Sequence, residues 1–263
     1  MISITSAQID AWIAAFLWPF LRIAALMTAE PVLGNRTIPM RVRVGLAFVL
    51  TVLVASTLPA PPPVELASAM GLLVAAQQIV IGLALGFTMR IVIAAIEMSG
   101  TLVGLSMGLG FATFYDPQNS AQVPVVGQFM GLLAVLLFFA INGHLMVIAG
   151  LVESFQVLPI SAKPLAADGF RALALMGGQI FVIGVLLSMP VLAALLIVNV
   201  AMGVMSRASP QLNLFAVGFP LTLIAGFAVL LMSLPYLAPH FVRLYEEGIA
   251  SALKIVSLLA GAP

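Results

Sequence analysis

The sequence predicts an all-α integral membrane protein of about six long apolar helices, some of them kinked, packed as helical hairpins. Three observations predict it. Of 263 residues, 63% are hydrophobic and 7% are charged, against about 45–50% and about 25% in a typical soluble domain. The mean hydropathy is +1.22. The apolar residues also come in long unbroken runs, whereas a transmembrane barrel would show alternation over strands of about 10 residues. Ten Lys+Arg and nine Asp+Glu cannot coat a water-soluble surface, which excludes a soluble enzyme and a disordered linker. A net charge of +1 supplies no basic field for a polyanion, so no nucleic-acid partner is expected. What remains is a membrane-embedded chain or a subunit buried in a large apolar assembly. There is no cysteine, hence no disulfide and no thiolate metal site. Two histidines without clustered carboxylates leave little material for a metal, and no cofactor is expected.

A membrane-crossing helix needs about 20 mostly apolar residues, and six segments qualify. The first runs from Ala11 to Ala29. Residues 1–10 carry Asp10 and no Lys or Arg, unlike the positive start of a signal peptide, so this reads as a retained helix. The second runs from Val42 to Leu58 and stops at four prolines within residues 59–63, which lack the N–H a helix requires. The third starts near Ala69 and is interrupted by Arg90. The fourth covers Gly127 to Leu151, after the polar break Asp116–Pro124. The fifth covers Ala172 to Ser206 with Pro190 inside it, where a bend is expected. A short turn through Arg207, Pro210 and Gln211 leads to the sixth, Leu212 to Leu234, so the last two pair as an antiparallel hairpin. Residues beyond Pro239 form a less apolar tail whose Phe241, Leu244, Tyr245, Ile249 and Leu253 approximate one stripe. This tail lies on a membrane surface or docks a partner helix. Arg36, Arg41 and Arg43 argue for a cytoplasmic loop after the first helix, and Lys163 and Arg171 argue against it.

Few residues carry chemistry. Gly100, Gly104 and Gly108 recur every four residues, as do Gly82 and Gly86, and Gly127 and Gly131. Small residues at i and i+4 let backbones approach closely, either within one bundle or along a seam between subunits. Met107-Gly108-Leu-Gly110-Phe111 followed by Phe114, Tyr115, Asp116 and Pro117 is poor helix material and should leave the helix as a loop. Irregular backbone at membrane depth survives only when buried in protein or lining a cavity. The segment is an interfacial aromatic belt or a lining or plug for a pore, where apolar constrictions exclude water. Arg90 and Glu97 stand seven residues apart on one helical face, with Gln77 and Gln78 before them. They form a structural pair, or Arg90 snorkels. Asn142 precedes a lone His144, which reads as a hydrogen-bonded structural residue.

These motifs, taken in order, resemble the FliR/SctT family of type III protein-export gate subunits. The matching stretches are Glu30-Pro-Val-Leu-Gly34 with Ile38-Pro-Met-Arg41, Gly82-Leu-Ala-Leu-Gly-Phe87, and Gly108-Leu-Gly-Phe-Ala112 with Asp116-Pro117. Asn142-Gly-His144, Glu153-Ser-Phe155 and Pro159 follow, then Pro210-Gln-Leu-Asn213 and Gly218-Phe-Pro220. The set spans residues from about 30 to about 226. The last hairpin also looks like the two-helix subunit FliQ, with Pro190, Gln211 and Pro220 in matching order, and the amino-terminal portion is similar in architecture to FliP.

The resemblance implies a FliP-like region over residues 1–165, with a pore-plug loop near 107–123, a FliQ-like hairpin over 166–238 and an amphipathic tail over 239–263. It implies a hetero-oligomeric gate of one FliR-like, five FliP-like and four FliQ-like subunits in the bacterial inner membrane, at the base of the flagellum. FlhA and FlhB would be partners and unfolded exported proteins the cargo. In that setting Met107, Gly108, Gly110, Phe111, Phe114, Tyr115, Asp116 and Pro117 would plug the closed pore. Gly82, Gly86, Gly100, Gly104, Pro190, Arg207, Gln211 and Pro220 would serve packing and assembly. Arg90, Glu97, Asn142 and His144 would be polar residues within the membrane. The expected role is non-enzymatic. The alternatives are an injectisome export subunit, a small-molecule or ion transporter using Arg90, Glu97 and His144, and a membrane enzyme using His144 and Glu153.

Overall fold

The computed structural model describes residues 6–35, 37–59, 61–110, 124–209 and 214–261. Among them are eight α-helices and no strand. In chain order these are α1 (Ser6–Ala29), α2 (Met40–Ala55), α3 (Ala69–Ser106), α4 (Val125–Ala140), α5 (Gly143–Val157), α6 (Ala167–Met176), α7 (Gln179–Ala208) and α8 (Leu214–Leu259).

The helices differ from the six expected segments in ways with local causes. Arg90 does not interrupt the third segment: α3 is continuous over 38 residues. A single charged side chain can face outward without costing a backbone hydrogen bond, and Arg90 is exposed. The fourth segment is not one helix. Asn142 takes a left-handed conformation, φ 57° and ψ 33°, and the run is broken there into α4 and α5. The fifth is divided at Gly177–Gly178 into α6 and α7. The sixth segment is longer than expected, because α8 runs through Pro220, Pro235 and Pro239 as one helix of 46 residues. Among the described residues, four helical stretches are long and apolar enough to cross a membrane, or five if the broken α4–α5 pair counts as one.

The chain divides into two compact units. One comprises Met1–Ile91, Asn142–Gly177 and Tyr245–Pro263. Here Ala14 and Trp18 of α1 pack on Val74 of α3, with Ile160 and Ala162 from the α5–α6 connection against them. Ala84 of α3 packs on Ile255 and Leu259 of α8, flanked by Leu173 and Met176 of α6. Phe16 of α1 meets Phe48 of α2 with ring centroids 5.1 Å apart. The other unit comprises Val92–Ile141 and Gly178–Leu244, that is, the end of α3, α4, α7 and most of α8.

Candidate functional site: glycine seams, a buried arginine and the end of α3

Glycines bring the helix backbones together. In the first unit, a Cβ on Gly82 would strike the main-chain oxygen of Arg22, and one on Gly86 would lie 2.7 Å from Leu26 O and 2.8 Å from Glu30 N. The Gly82/Gly86 stripe therefore seats α1 on α3. In the second unit, a Cβ on Gly100 would lie 2.6 Å from Val126 O and 2.8 Å from Gly127 Cα. Gly104 faces the Val126 side chain at 3.4 Å. On α4, Gly127 meets Thr101 Oγ1 and Glu97 O, and Gly131 lies beneath the Glu97 carboxyl. The stripes on α3 and α4 thus face each other within the chain, leaving the exposed Glu97 carboxylate draped over Gly131.

The polar centre of the first unit is Arg22, which sequence reasoning did not single out. It is fully buried in an apolar helix. Its Nε donates to Gln78 Oε1 at 2.8 Å, Nη1 to Ser154 O at 3.0 Å, and Nη2 to Leu158 O at 2.9 Å. The guanidinium carbon stands 4.0 Å from the Phe155 ring centroid, a cation–π contact. A planar five-donor group can reach three acceptors in three directions, which an ammonium cannot. Gln77 Nε2 donates to Lys163 O at 2.8 Å. Non-helical backbone around 158–163 thereby finds donors from α1 and α3, as buried carbonyls require. The available signal was an arginine in the middle of Trp18-Pro-Phe-Leu-Arg22-Ile, with a glutamine pair in another apolar run.

Glu30, one residue beyond the first candidate span, is also buried. Its Oε2 accepts from Val32 N at 2.9 Å and from Leu33 N, capping the turn after α1. Its Oε1 is buried without a hydrogen-bond partner. Burial pushes the carboxyl up to about 7, against the opposing pull of those amides and of Arg90. Between the ordinary carboxylate value of 4.5 and 7, the folded chain keeps a proton that the unfolded chain releases. Stability therefore falls as pH rises through this window and is level above it. In Glu30→Gln the amide oxygen still caps the turn and nothing titrates. Thermal unfolding in detergent is expected to lose this pH slope, whereas an unchanged slope would assign it elsewhere.

The remaining sequence-selected residues are not brought into one cluster. Asn142 is exposed at the α4–α5 break and His144 is half-buried in the first turn of α5. Pro190 and Pro220 lie exposed within α7 and α8, and Arg207 is exposed in the last turn of α7. At the end of α3, Met107 is fully buried, Gly108 takes φ 86° and Gly110 follows in a short 3₁₀ turn. Phe111, Phe114, Tyr115, Asp116, Pro117 and Gln211 lie outside the described residues.

Long apolar helices locked by glycine seams, with buried arginine and glutamine side chains satisfying irregular backbone, define a polytopic helical membrane protein. Residues 13–248 match the family described as bacterial export proteins, family 1, and the chain belongs to that family, one of export components rather than enzymes. It is similar to the flagellar biosynthetic protein FliR of Escherichia coli (strain K12), with 42% identity over 259 residues, covering 98% of this chain and 99% of that protein. The FliR of Pectobacterium carotovorum subsp. carotovorum is 43% identical over 248 residues, covering 94% of each chain. That of Bacillus subtilis (strain 168) is 36% identical over 221 residues, covering 83% and 85%.

Proposed function

We propose that the chain is a core channel subunit of the flagellar protein-export gate in the bacterial inner membrane, and that the segment after α3 plugs the closed conduit. The observation that carries this reading is the near full-length likeness to proteins named flagellar biosynthetic protein FliR. The helix lengths support a multi-subunit setting. At 1.5 Å per residue, the 46 residues of α8 extend about 69 Å, against about 30 Å of bilayer hydrocarbon. Along α7, Phe181, Leu186, Met189, Leu196, Ile197, Val200 and Val204 are exposed. A run from Phe181 to Met205 covers about 36 Å at that rise, an apolar face left to lipid and to neighbouring subunits. FliP-like and FliQ-like subunits, in the five-to-four proportion the resemblance implies, would supply the missing surface, with FlhA and FlhB alongside and unfolded flagellar proteins as cargo. The FliP-like portion would be residues 1–165 and the FliQ-like hairpin 166–238.

The plug reading draws on composition and on where α3 stops. Phe111, Phe114 and Tyr115 follow immediately on a buried Met107 and a left-handed Gly108, so the chain turns out of the helix just before its aromatics. Rings packed in a constriction exclude water and ions without any charged group. Deleting Gly110–Tyr115 in the assembled gate is expected to raise the ion conductance of the cell membrane while the complex keeps its subunit composition. Conductance equal to the parent's would overturn the plug.

A further inference from the structure

One end of α2 is charged and the rest is not. Between Glu30 and Glu65 the chain carries Arg36, Arg41 and Arg43 and no Asp, Glu or Lys. Arg41 and Arg43 lie at the start of α2, whose first turn holds no acidic residue. At the other end the hydroxyls of Ser56 and Thr57 donate to Leu53 O at 2.7 Å and to Val54 O at 2.8 Å, so that end meets its polar needs within the chain. In between, α2 buries Ala47, Thr51 and Val54 on one face, and Thr51 returns its hydroxyl to Ala47 O at 2.6 Å. Val42, Leu46, Val49 and Leu53 form the opposite stripe and are exposed. Arg41 and Arg43 stand about 100° to either side of Val42 and so bracket the head of that stripe. The 16 residues of α2 extend about 24 Å, short of about 30 Å of bilayer hydrocarbon. A charged end can therefore sit at headgroup level while the uncharged end lies at membrane depth. From Val42 to Leu53 the stripe runs about 16 Å, close to the roughly 15 Å of one leaflet.

We propose that α2 carries a site for an anionic phospholipid, its phosphate held by Arg41 and Arg43 and its acyl chains laid along Val42, Leu46, Val49 and Leu53. The inference does not depend on the plug reading above. A guanidinium meets phosphate oxygens with two parallel donors, and its apolar stem covers the helix while the head reaches the headgroup layer. The Nε of Arg43 is buried without a hydrogen-bond partner, a donor the chain leaves unmet. No carboxylate from the same segment competes for either arginine. A zwitterionic lipid brings its own cation beside its phosphate, which cancels most of the attraction, so the site selects for net negative charge. A protein neighbour would have to supply both an acidic group at one end and an apolar ridge of matching length, which a lipid of one leaflet has by construction.

The test uses the full-length protein with the subunits that co-purify with it, in a neutral detergent. Native mass spectrometry is expected to show dioleoyl phosphatidylglycerol retained in preference to dioleoyl phosphatidylcholine. Arg41→Gln with Arg43→Gln is expected to lower that retention about fivefold for each arginine removed. Lys163→Gln with Arg171→Gln takes the same charge from two exposed residues elsewhere in the same unit and is expected to leave retention unchanged. Phosphatidylglycerol with a diazirine in its acyl chain is expected to label residues 42–53 of the unaltered protein more heavily than phosphatidylcholine carrying the same group. Equal retention of the two lipids would overturn the proposal, as would an equal loss in the Lys163/Arg171 variant, which would reduce the effect to net charge. Release of phosphatidylglycerol by equimolar inorganic phosphate would also overturn it, because the apolar stripe would then contribute nothing. Absence of label from residues 42–53 would mean that a protein neighbour covers the stripe. Photolabelling requires no substitution, so it decides the matter even where the arginine variant does not assemble.

Discussion

Arg22→Ala is expected to unfold the first unit more readily than any other single side-chain truncation in it. Gln78, Ser154 O and Leu158 O lose their donor together, and a buried group left without its partner costs about 1–3 kcal/mol. The Phe155 ring loses its cation, a contact of about 2 kcal/mol when desolvated, and a void opens beneath α1. The opposing effect is real. Burying a guanidinium costs several kcal/mol, which the alanine variant recovers. Because the acceptors cannot be rehydrated in place, the losses win, and the net change is expected to be on the order of 3–5 kcal/mol. Arg22→Met fills the space without the charge and is expected to fall between alanine and the parent. Thermal unfolding in detergent measures the series. A loss below about 1 kcal/mol for alanine would place the arginine among pairs that merely break even.

Gly82→Ala and Gly100→Ala are expected to be nearly as damaging, for a steric reason. Their new methyl groups would meet main-chain oxygens, of Arg22 and of Val126, and a backbone carbonyl inside a helix cannot rotate away. The helices must separate, at about 1–3 kcal/mol for each overpacked site, and at Gly82 the shift also drags on the arginine. Gly45 and Gly203 provide the contrast, since a Cβ on either meets nothing within 4 Å. In the isolated chain Gly45→Ala and Gly203→Ala are expected to stabilise by about 0.5–1 kcal/mol, the helix-interior penalty of glycine. Equal unfolding temperatures across all four variants would show that the seams carry no packing energy.

Most helices were legible as apolar runs, because membrane helices are selected for hydrophobicity over their whole length and that property is local. Their interruptions were less legible. Asn142 breaks the fourth run through a single left-handed residue, and the turn-forming Asn142-Gly143 pair that marks it was read only as part of a polar motif. The sixth run was ended at Leu234, whereas α8 continues through Pro235 and Pro239. A proline costs one hydrogen bond, and the packed Phe241, Tyr245 and Val256 beyond it outweigh that. Arg90 and Glu97 drew attention as intramembrane charges and both lie exposed, while Arg22 organises its unit unseen. Its partners lie 56 to 136 residues away in sequence, and no local pattern encodes such a meeting.

The arginine also imposes a schedule on biogenesis. The first helix emerges from the ribosome carrying a cation whose serine carbonyl partner lies 132 residues downstream. At synthesis rates of about 5–20 residues per second, that is a wait of roughly 7–26 s. During that interval the nascent hairpin must keep its charge at a wet interface, beside a helper, or at the mouth of the insertion machinery. Final placement of α1 is therefore a late event, settled only once the fifth helix has arrived to receive it.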